Sequence, residues 1–434
     1  MKFRYGLALL LSILLITLIY IGGNTSETKE DKDNITKVQS EETLSSRPVG
    51  DSPATDTKTE QSSSDNENKK TGLSESKDYI IEGSKIIQYI GGYHEERTID
   101  IPEGVTEIGS NAFSIDEEAD VKNMKKVTLC IPKDVKLDEN AFQHIGPMCI
   151  TFEEGRNIIE KSAFNGCGFL LNEETGTIEI ILSSTITSIG ESSFDQGWYG
   201  CDHVKLKLNE GLEEIGAYAL QGITCNLPST VKKLGDYALN YWSWIDEEGV
   251  DGEGRCLELP KGLVEIGYQC ILLEEPIKAI KIPASVEKIG EHPISIGFSP
   301  ALCDVIVDGE NQYYQNDDNG WLYTKDGKTL LYAKNSFEEV VVPEGVEYVA
   351  DGSLDIDLGG DGIPYRVILP QSLKKYHRNA TNTSNVKFIG NPPELTGEKP
   401  FRVQTTSVYI PKGKLKVYEE ALESWGIEYE LMEQ

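Results

Sequence analysis

The feature that most constrains this chain is one short pattern that recurs along it. The pattern reads TIDIPEGVTEIGSNAF from Thr98 to Phe113, VTLCIPKDVKLDENAF from Val127 to Phe142 and ITFEEGRNIIEKSAF from Ile150 to Phe164. Further copies end at Phe194, Leu220, Leu239, Ile271, Ile294, Leu354 and, in a decayed form, Tyr376. Such a repeat predicts that the chain folds as a stack of similar coils.

One copy of the pattern shows what each coil contains. In TIDIP, Ile99 and Ile101 point to one side of a strand, whereas Thr98 and Asp100 point to the other. Pro102 then ends the strand, because it lacks a backbone N–H. No single unit can bury its apolar residues, so neighbouring units must stack. The pattern therefore predicts a mostly β solenoid with a parallel sheet on one face and short turns or helices on the other.

These motifs resemble those of the BspA-like leucine-rich repeat surface proteins, whose units read approximately L-x-x-I-x-I-P-x-x-V-T-x-I-G-x-x-A-F. The resemblance covers about residues 79–434. Residues 307–334 are similar to the inserted hairpin of that family, and residues 408–425 to its C-terminal closing segment. The resemblance implies an α/β-type leucine-rich repeat solenoid that acts in adhesion or another surface interaction, without catalysis.

Three departures from the pattern predict local irregularity within the same fold. Arg156 occupies an expected apolar position, and Pro293 lies inside the Ile-Gly-x-x-Ala-Phe part of its unit. The unit after Tyr365 lacks both Ile-Gly and Ala-Phe.

The N-terminus carries an export signal. Lys2 and Arg4 precede a mostly apolar, uncharged stretch that runs from Gly6 to Ile21. Residues 1–23 are therefore predicted to be either a cleaved signal peptide or an uncleaved signal-anchor, since a stretch of about 16 to 19 residues is marginal for spanning a bilayer. In both cases the positive residues stay in the cytoplasm and the rest of the chain lies outside.

Composition divides the remainder of the chain. Residues 24–77 are polar with hardly any apolar side chain, which predicts a disordered tether. Leucine-rich-type repeats are predicted for residues 78–306, a hairpin insert for 307–334, and repeats with a closing segment for 335–434. The formal net charge of −31 disfavours nucleic acid as a partner, because it would repel phosphate.

The sequence offers no catalytic constellation. The five histidines lie in different repeats, and neither an HExxH motif nor a G-x-S-x-G motif occurs. Asp355, Asp357 and Asp361 carry oxygen ligands of the kind that Ca²⁺ prefers. Their spacing matches no calcium loop, however, so an exposed turn is the favoured interpretation. We therefore predict that the chain is not an enzyme and needs neither a metal nor another cofactor.

The positions of the cysteines in the repeats indicate buried core residues more than they indicate disulfide bonds. Cys167, Cys225 and Cys270 fall where small apolar residues are expected. Cys130 and Cys149 face outward on adjacent predicted strands, but their register is offset by two residues. This offset implies Cα atoms roughly 8 Å apart, which is too far for a bond without slippage, so whether any disulfide forms stays open.

Two surfaces are candidates for ligand binding. The first is the outward row of the predicted sheet, which is polar in the middle and apolar towards the C-terminus. It comprises Asp100, Cys130, Thr151, Ile181, Lys207, Asn226, Glu258, Lys281, Val341 and Ile368. The second is a set of loop aromatics that could contact a protein or stack on sugar rings. It comprises Trp198, Tyr199, Tyr241, Trp242, Trp244, Tyr313, Tyr314 and Trp321.

The leading hypothesis is a cell-surface or secreted binding module for a protein or glycan partner. Two alternatives remain at this point: a structural envelope spacer without a specific ligand, and an accessory glycan-binding domain. Membrane association through the N-terminal segment is compatible with all three.

Overall fold

A computed structural model describes most of the chain beyond residue 72. The described residues are 73–172, 174–197, 203–242, 256–273, 277–296, 303–334, 339–354, 366–381, 383, 385–397, 406–423 and 429–434. Asn66–Gln434 form one compact unit, which holds all of them. The predicted leader lies outside the described residues, as does the predicted tether up to residue 72.

The first strand of each coil joins a parallel sheet, as the period-two pattern predicts. We call these strands the front strands. The first five are β4 (Arg97–Ile99), β6 (Val127–Ile131), β8 (Met148–Phe152), β10 (Ile178–Ile181) and β12 (Val204–Lys207). The next three are β16 (Cys256–Glu258), β19 (Ala279–Ile282) and β22 (Asp304–Val307). The last five are β26 (Val340–Val341), β28 (Arg366–Leu369), β30 (Asn385–Phe388), β32 (Thr406–Ile410) and β33 (Tyr429–Glu433).

A second line of parallel strands forms where the sequence predicts turns or helices. Most of these second-face strands have two residues, and five of them end at the Ile of Ile-Gly. They are β5 (Glu107–Ile108), β7 (Lys136–Leu137), β9 (Ile158–Ile159), β11 (Ser188–Ile189), β13 (Glu214–Ile215), β14 (Lys233–Leu234), β17 (Glu265–Ile266), β20 (Lys288–Ile289), β27 (Tyr348–Val349), β29 (Lys375–His377) and β31 (Glu394–Thr396). The fold is thus a mostly β parallel solenoid.

The glycine of Ile-Gly allows successive coils to approach closely. A Cβ on Gly216 would lie 2.7 Å from the backbone nitrogen of Glu191 in the preceding coil, and one on Gly235 would lie 2.6 Å from that of Ala217. Any side chain would therefore push the coils apart.

After its second-face strand, each coil makes another turn just before its Ala-Phe pair. The residue at this turn has a positive φ in coil after coil, although it is rarely glycine. The turn residues are Asn111, Asn140, Ser162, Ser192, Tyr218, Tyr237, Gln269 and His292. After the turn, three coils form short parallel strands, namely β15 (Leu239–Asn240), β18 (Ile271–Leu273) and β21 (Ile294–Ile296).

The core consists of columns of identical positions from successive coils. Phe113, Phe142, Phe164 and Phe194 stack with ring centroids 4.7, 4.7 and 5.2 Å apart, and all four are fully buried. Burying each such ring contributes roughly 1.5–3 kcal/mol. The predicted core positions of Cys167, Cys225 and Cys270 are confirmed, since all three are buried.

Antiparallel strands cover the start of the solenoid and form its insert. At the start, β1 (Leu73–Glu75), β2 (Tyr79–Glu82) and β3 (Lys85–Tyr89) precede β5 in its sheet. The predicted hairpin insert contains three strands, β23 (Tyr314–Asn316), β24 (Leu322–Thr324) and β25 (Thr329–Tyr332). The third of these pairs in parallel with β27, so the insert is built into the second face.

Helix is scarce in the part of the chain that the structure describes. It comprises one 3₁₀ turn, Val121–Asn123, and one α-helix, Leu415–Leu422, which connects β32 to β33. Among the described residues, neither helix has the length and apolarity that crossing a bilayer requires.

Arg156 fits a regular coil instead of disturbing one. Its buried guanidinium donates to the carbonyl oxygens of Val135 at 2.7 Å and Pro132 at 3.3 Å, and binds both carboxylate oxygens of Glu160 at 2.7 and 2.5 Å. In a later coil the buried Asn311 side chain donates to the corresponding carbonyls of Pro283 and Val286. These donors satisfy carbonyl groups in the turn of the preceding coil.

Candidate functional site

The outward side chains of the front strands form one continuous row within each sheet. Cys130 lies opposite Thr151, Thr151 opposite Ile181, and Ile181 opposite Lys207. The predicted pairs Glu258–Lys281 and Val341–Ile368 are also in register. The pairing adds four members that the prediction missed, Ile306, Lys387, Tyr409 and Met432. We call the predicted and added residues together the front row.

The front row mixes polar side chains with exposed aliphatic ones. Ile181 is 37% exposed, Ile306 43% and Val341 54%. Near the C-terminus the Arg366 guanidinium lies 4.7 Å from the centre of the Tyr409 ring, which holds the ring in place. The row is thus a rigid surface with apolar contacts available along its length.

Charged residues on the second face neutralise one another. Glu265 lies between Lys288 at 2.6 Å and Lys233 at 3.6 Å. A hydrogen bond from Lys288 lowers the pKa of the Glu265 carboxyl. Lys85 forms ion pairs with both Glu107 and Asp138. The front row contains one such pair as well, Glu258 and Lys281 at 2.6 Å.

Most of the described loop aromatics lie in the core. Trp242 is 3% exposed, and Tyr314 and Trp321 are 8% exposed. The backbone N–H of Ile289 donates to the Tyr314 hydroxyl at 2.7 Å, and burial raises the pKa of this hydroxyl. Tyr313, by contrast, is 48% exposed, and Tyr241 is half-buried.

The remaining aromatic candidates, Trp198, Tyr199 and Trp244, lie outside the described residues. The role of the whole aromatic set in binding stays a prediction. Among the described members of this set, Tyr241 and Tyr313 have solvent-exposed surface.

The front face also carries two of the cysteines. Cys149 lies opposite Thr128, and Cys130 lies opposite Thr151, so the predicted offset of two residues is confirmed. Both are free thiols. Cys130 is exposed, whereas partial burial raises the pKa of the Cys149 thiol.

A partly buried polar cluster that the sequence did not reveal links the repeats on either side of the insert. The Tyr268 hydroxyl donates to Asp351 Oδ2 at 2.7 Å, and His377 Nδ1 lies 3.1 Å from Asp351 Oδ1. The Tyr348 hydroxyl donates to Glu291 at 3.0 Å, and Glu291 accepts the backbone N–H of Asp351 at 3.1 Å. In the sequence, the only indication of this cluster was that polar residues follow the Ile-Gly position. In most coils the residue at that place is exposed.

The described residues contain no group of three or more His, Cys, Asp or Glu side chains that could hold a metal ion. The aspartates considered for Ca²⁺, Asp355, Asp357 and Asp361, lie outside the described residues.

Comparison with known proteins identifies the repeat. Residues 93–196 and 169–295 match the family described as BspA type leucine rich repeat region, in six copies. Among solved structures, the chain is similar to the pneumococcal vaccine antigen PcpA, with 16% identity, a TM-score of 0.34, and coverage of 83% of this chain and 99% of that one. It is also similar to a leucine-rich repeat protein from Bacteroides ovatus, with 14% identity, a TM-score of 0.28, and coverage of 83% and 97%. None of the curated proteins matches.

Proposed function

Since residues 93–295 are a BspA type leucine rich repeat region, we propose that this chain is a non-catalytic binding module displayed outside the cytoplasm. Export rests on Lys2, Arg4 and the apolar stretch after them. The module remains attached through that stretch or is released after its cleavage.

The front row is the surface that we assign to the partner, and we infer that this partner is a protein. The observation that carries this proposal is the in-register row within each of the three front sheets, together with the exposure of Ile181, Ile306 and Val341, one in each sheet. Aliphatic side chains on a rigid sheet supply apolar contact area at little entropic cost, and the polar members between them can supply hydrogen bonds.

Paired variants on the two faces test this function. We expect Ile181→Asp combined with Val341→Asp to weaken binding at least tenfold, because both changes place a charge in the contact area. The matched control is Ile158→Asp combined with Val264→Asp, which places the same charges at exposed aliphatic side chains in β9 and next to β17 on the second face. The measurement is binding of the full chain to an array of extracellular and cell-surface proteins.

Two results of that screen would overturn the proposal. If no protein binds at micromolar concentration, the structural spacer becomes the better account. If a protein binds but both sets of variants weaken it equally, the contact does not depend on the front row.

A further inference from the structure

Three tyrosines from successive coils form a ladder on the turn side of the solenoid. Tyr218 and Tyr237 stack with ring centroids 4.5 Å apart and planes within 7° of each other. Tyr237 meets Tyr268 edge to face at 5.5 Å. The Tyr268 hydroxyl is in turn held by Asp351. All three rings are partly exposed, so the tyrosine ladder is anchored at one end and borders solvent along its length.

The other end of the ladder is an unstacked ring face. Ser192 occupies the position of Tyr218 one coil earlier, since the Ser192 N–H donates to the Ala217 carbonyl at 2.8 Å just as the Tyr218 N–H donates to that of Asp236 at 2.9 Å. Among the described residues, no aromatic ring stacks on the Tyr218 face towards Ser192. Coils are roughly 4.8 Å apart, which is also a stacking distance. A serine there leaves space for one ring beside Tyr218.

Hydrogen-bonding groups lie at Ser192 and next to it in the chain. Ser192 carries a partly exposed hydroxyl. Glu191, the residue before it, forms an ion pair with Lys161 at 3.0 Å, and both side chains are about half exposed at 52% and 51%. An occupant would therefore meet an apolar ring face on one side and donors and acceptors at its edge.

We propose that the space between Tyr218 and Ser192 is a binding site for one neutral pyranose unit of a glycan. The C–H face of a pyranose stacks on an aromatic ring, and its ring of hydroxyls matches polar groups at the border. An anionic sugar fits less well, because Glu191 is close and the chain has a net charge of −31. This site is separate from the front row and does not depend on a protein partner there.

The backbone allows a sharp test of the site. Ser192, Tyr218 and Tyr237 have φ values of 52°, 56° and 58°, so tyrosine is already accommodated in this conformation by the next two coils. Ser192→Tyr should extend the ladder by one ring and fill the site. Tyr218→Ala removes the stacking face.

Binding is measured on the full chain by saturation-transfer NMR and titration calorimetry with chitotetraose, maltotetraose and mannotetraose. We expect at least one of them to bind, Tyr218→Ala to weaken it about fivefold or more, and Ser192→Tyr to abolish it.

The proposal is overturned if none of the three oligosaccharides binds at millimolar concentration. It is equally overturned if one binds and Ser192→Tyr leaves its affinity intact, because the glycan would then occupy another site. Circular dichroism of each variant separates loss of binding from loss of folding, and the front-row variants are expected to retain glycan binding.

Discussion

Asp351 and His377 form a largely buried ion pair across two coils, with His377 Nδ1 3.1 Å from Asp351 Oδ1. The hydrogen bond that His377 donates to Asp351 raises the pKa of His377. Burial alone would raise the pKa of Asp351, but hydrogen bonds from His377 and Tyr268 outweigh it, and the pKa is lowered. The pair thus ties the coils after the insert to Tyr268 before it.

This pair predicts a pH-dependent contribution to stability. Because the pKa of His377 is higher in the folded chain than its ordinary value of 6.5, its contribution is fully present below pH 6.5 and is lost as the pH rises through the raised value. Glu291 reinforces the positive charge of His377 and Arg378 opposes it. We expect His377→Asn to cost about 1.5–3 kcal/mol at pH 5.5.

At pH 9 the same variant should cost much less. The measurement is the free energy of unfolding of both proteins in urea at the two pH values. His292, whose pKa is lowered by burial, is present in both proteins and largely cancels in the difference. An equal cost at both pH values would show that the charge on His377 does not stabilise the junction.

Arg156 should be among the most sensitive positions in the repeats. Arg156→Leu leaves the Val135 carbonyl without its guanidinium donor and leaves the Glu160 carboxylate without its positively charged partner. We expect a loss of about 3–5 kcal/mol in the free energy of unfolding, measured by chemical denaturation. The exposed ion pair of Lys161 and Glu191 gives the control, since Lys161→Met should change stability by less than about 1 kcal/mol.

The positive φ of the residue before Ala-Phe predicts which substitutions that position tolerates. Asn140 has a φ of 62°, a conformation that asparagine and glycine adopt more readily than β-branched residues. We therefore expect Asn140→Val to destabilise the chain by about 1–2 kcal/mol, and Asn140→Gly to stay within about 0.5 kcal/mol of the original. Thermal unfolding of the two variants measures the difference, and equal stability would contradict the left-handed turn.

The cysteines should differ in reactivity according to burial. We expect iodoacetamide to alkylate Cys130 in the folded chain, whereas the buried thiols of Cys167, Cys225 and Cys270 react only after denaturation. Peptide mass spectrometry before and after denaturation checks each site. A Cys130–Cys149 disulfide in the isolated chain would contradict the register offset of the front strands.

Local pattern was enough to predict the coils, their front strands and the register of the front row. It was not enough for the second-face strands, because two residues are too few to show a periodicity and the pairing comes from stacking of whole coils. Nor could it show that Trp242, Tyr314 and Trp321 are buried, since their burial depends on how loops and the insert pack. Asp351 and His377 belong to separate coils, and the chain alone gave no reason to pair them.

The central claim is that the front row is the binding surface, and Cys130 provides a native probe near its N-terminal end. The decisive measurement is the rate of Cys130 alkylation in the full chain, free and saturated with the partner found by the protein array. We predict at least a tenfold slower reaction in the complex, and no change at a cysteine introduced on the second face by Glu214→Cys. An unchanged rate at Cys130 with protection at residue 214 would contradict the claim.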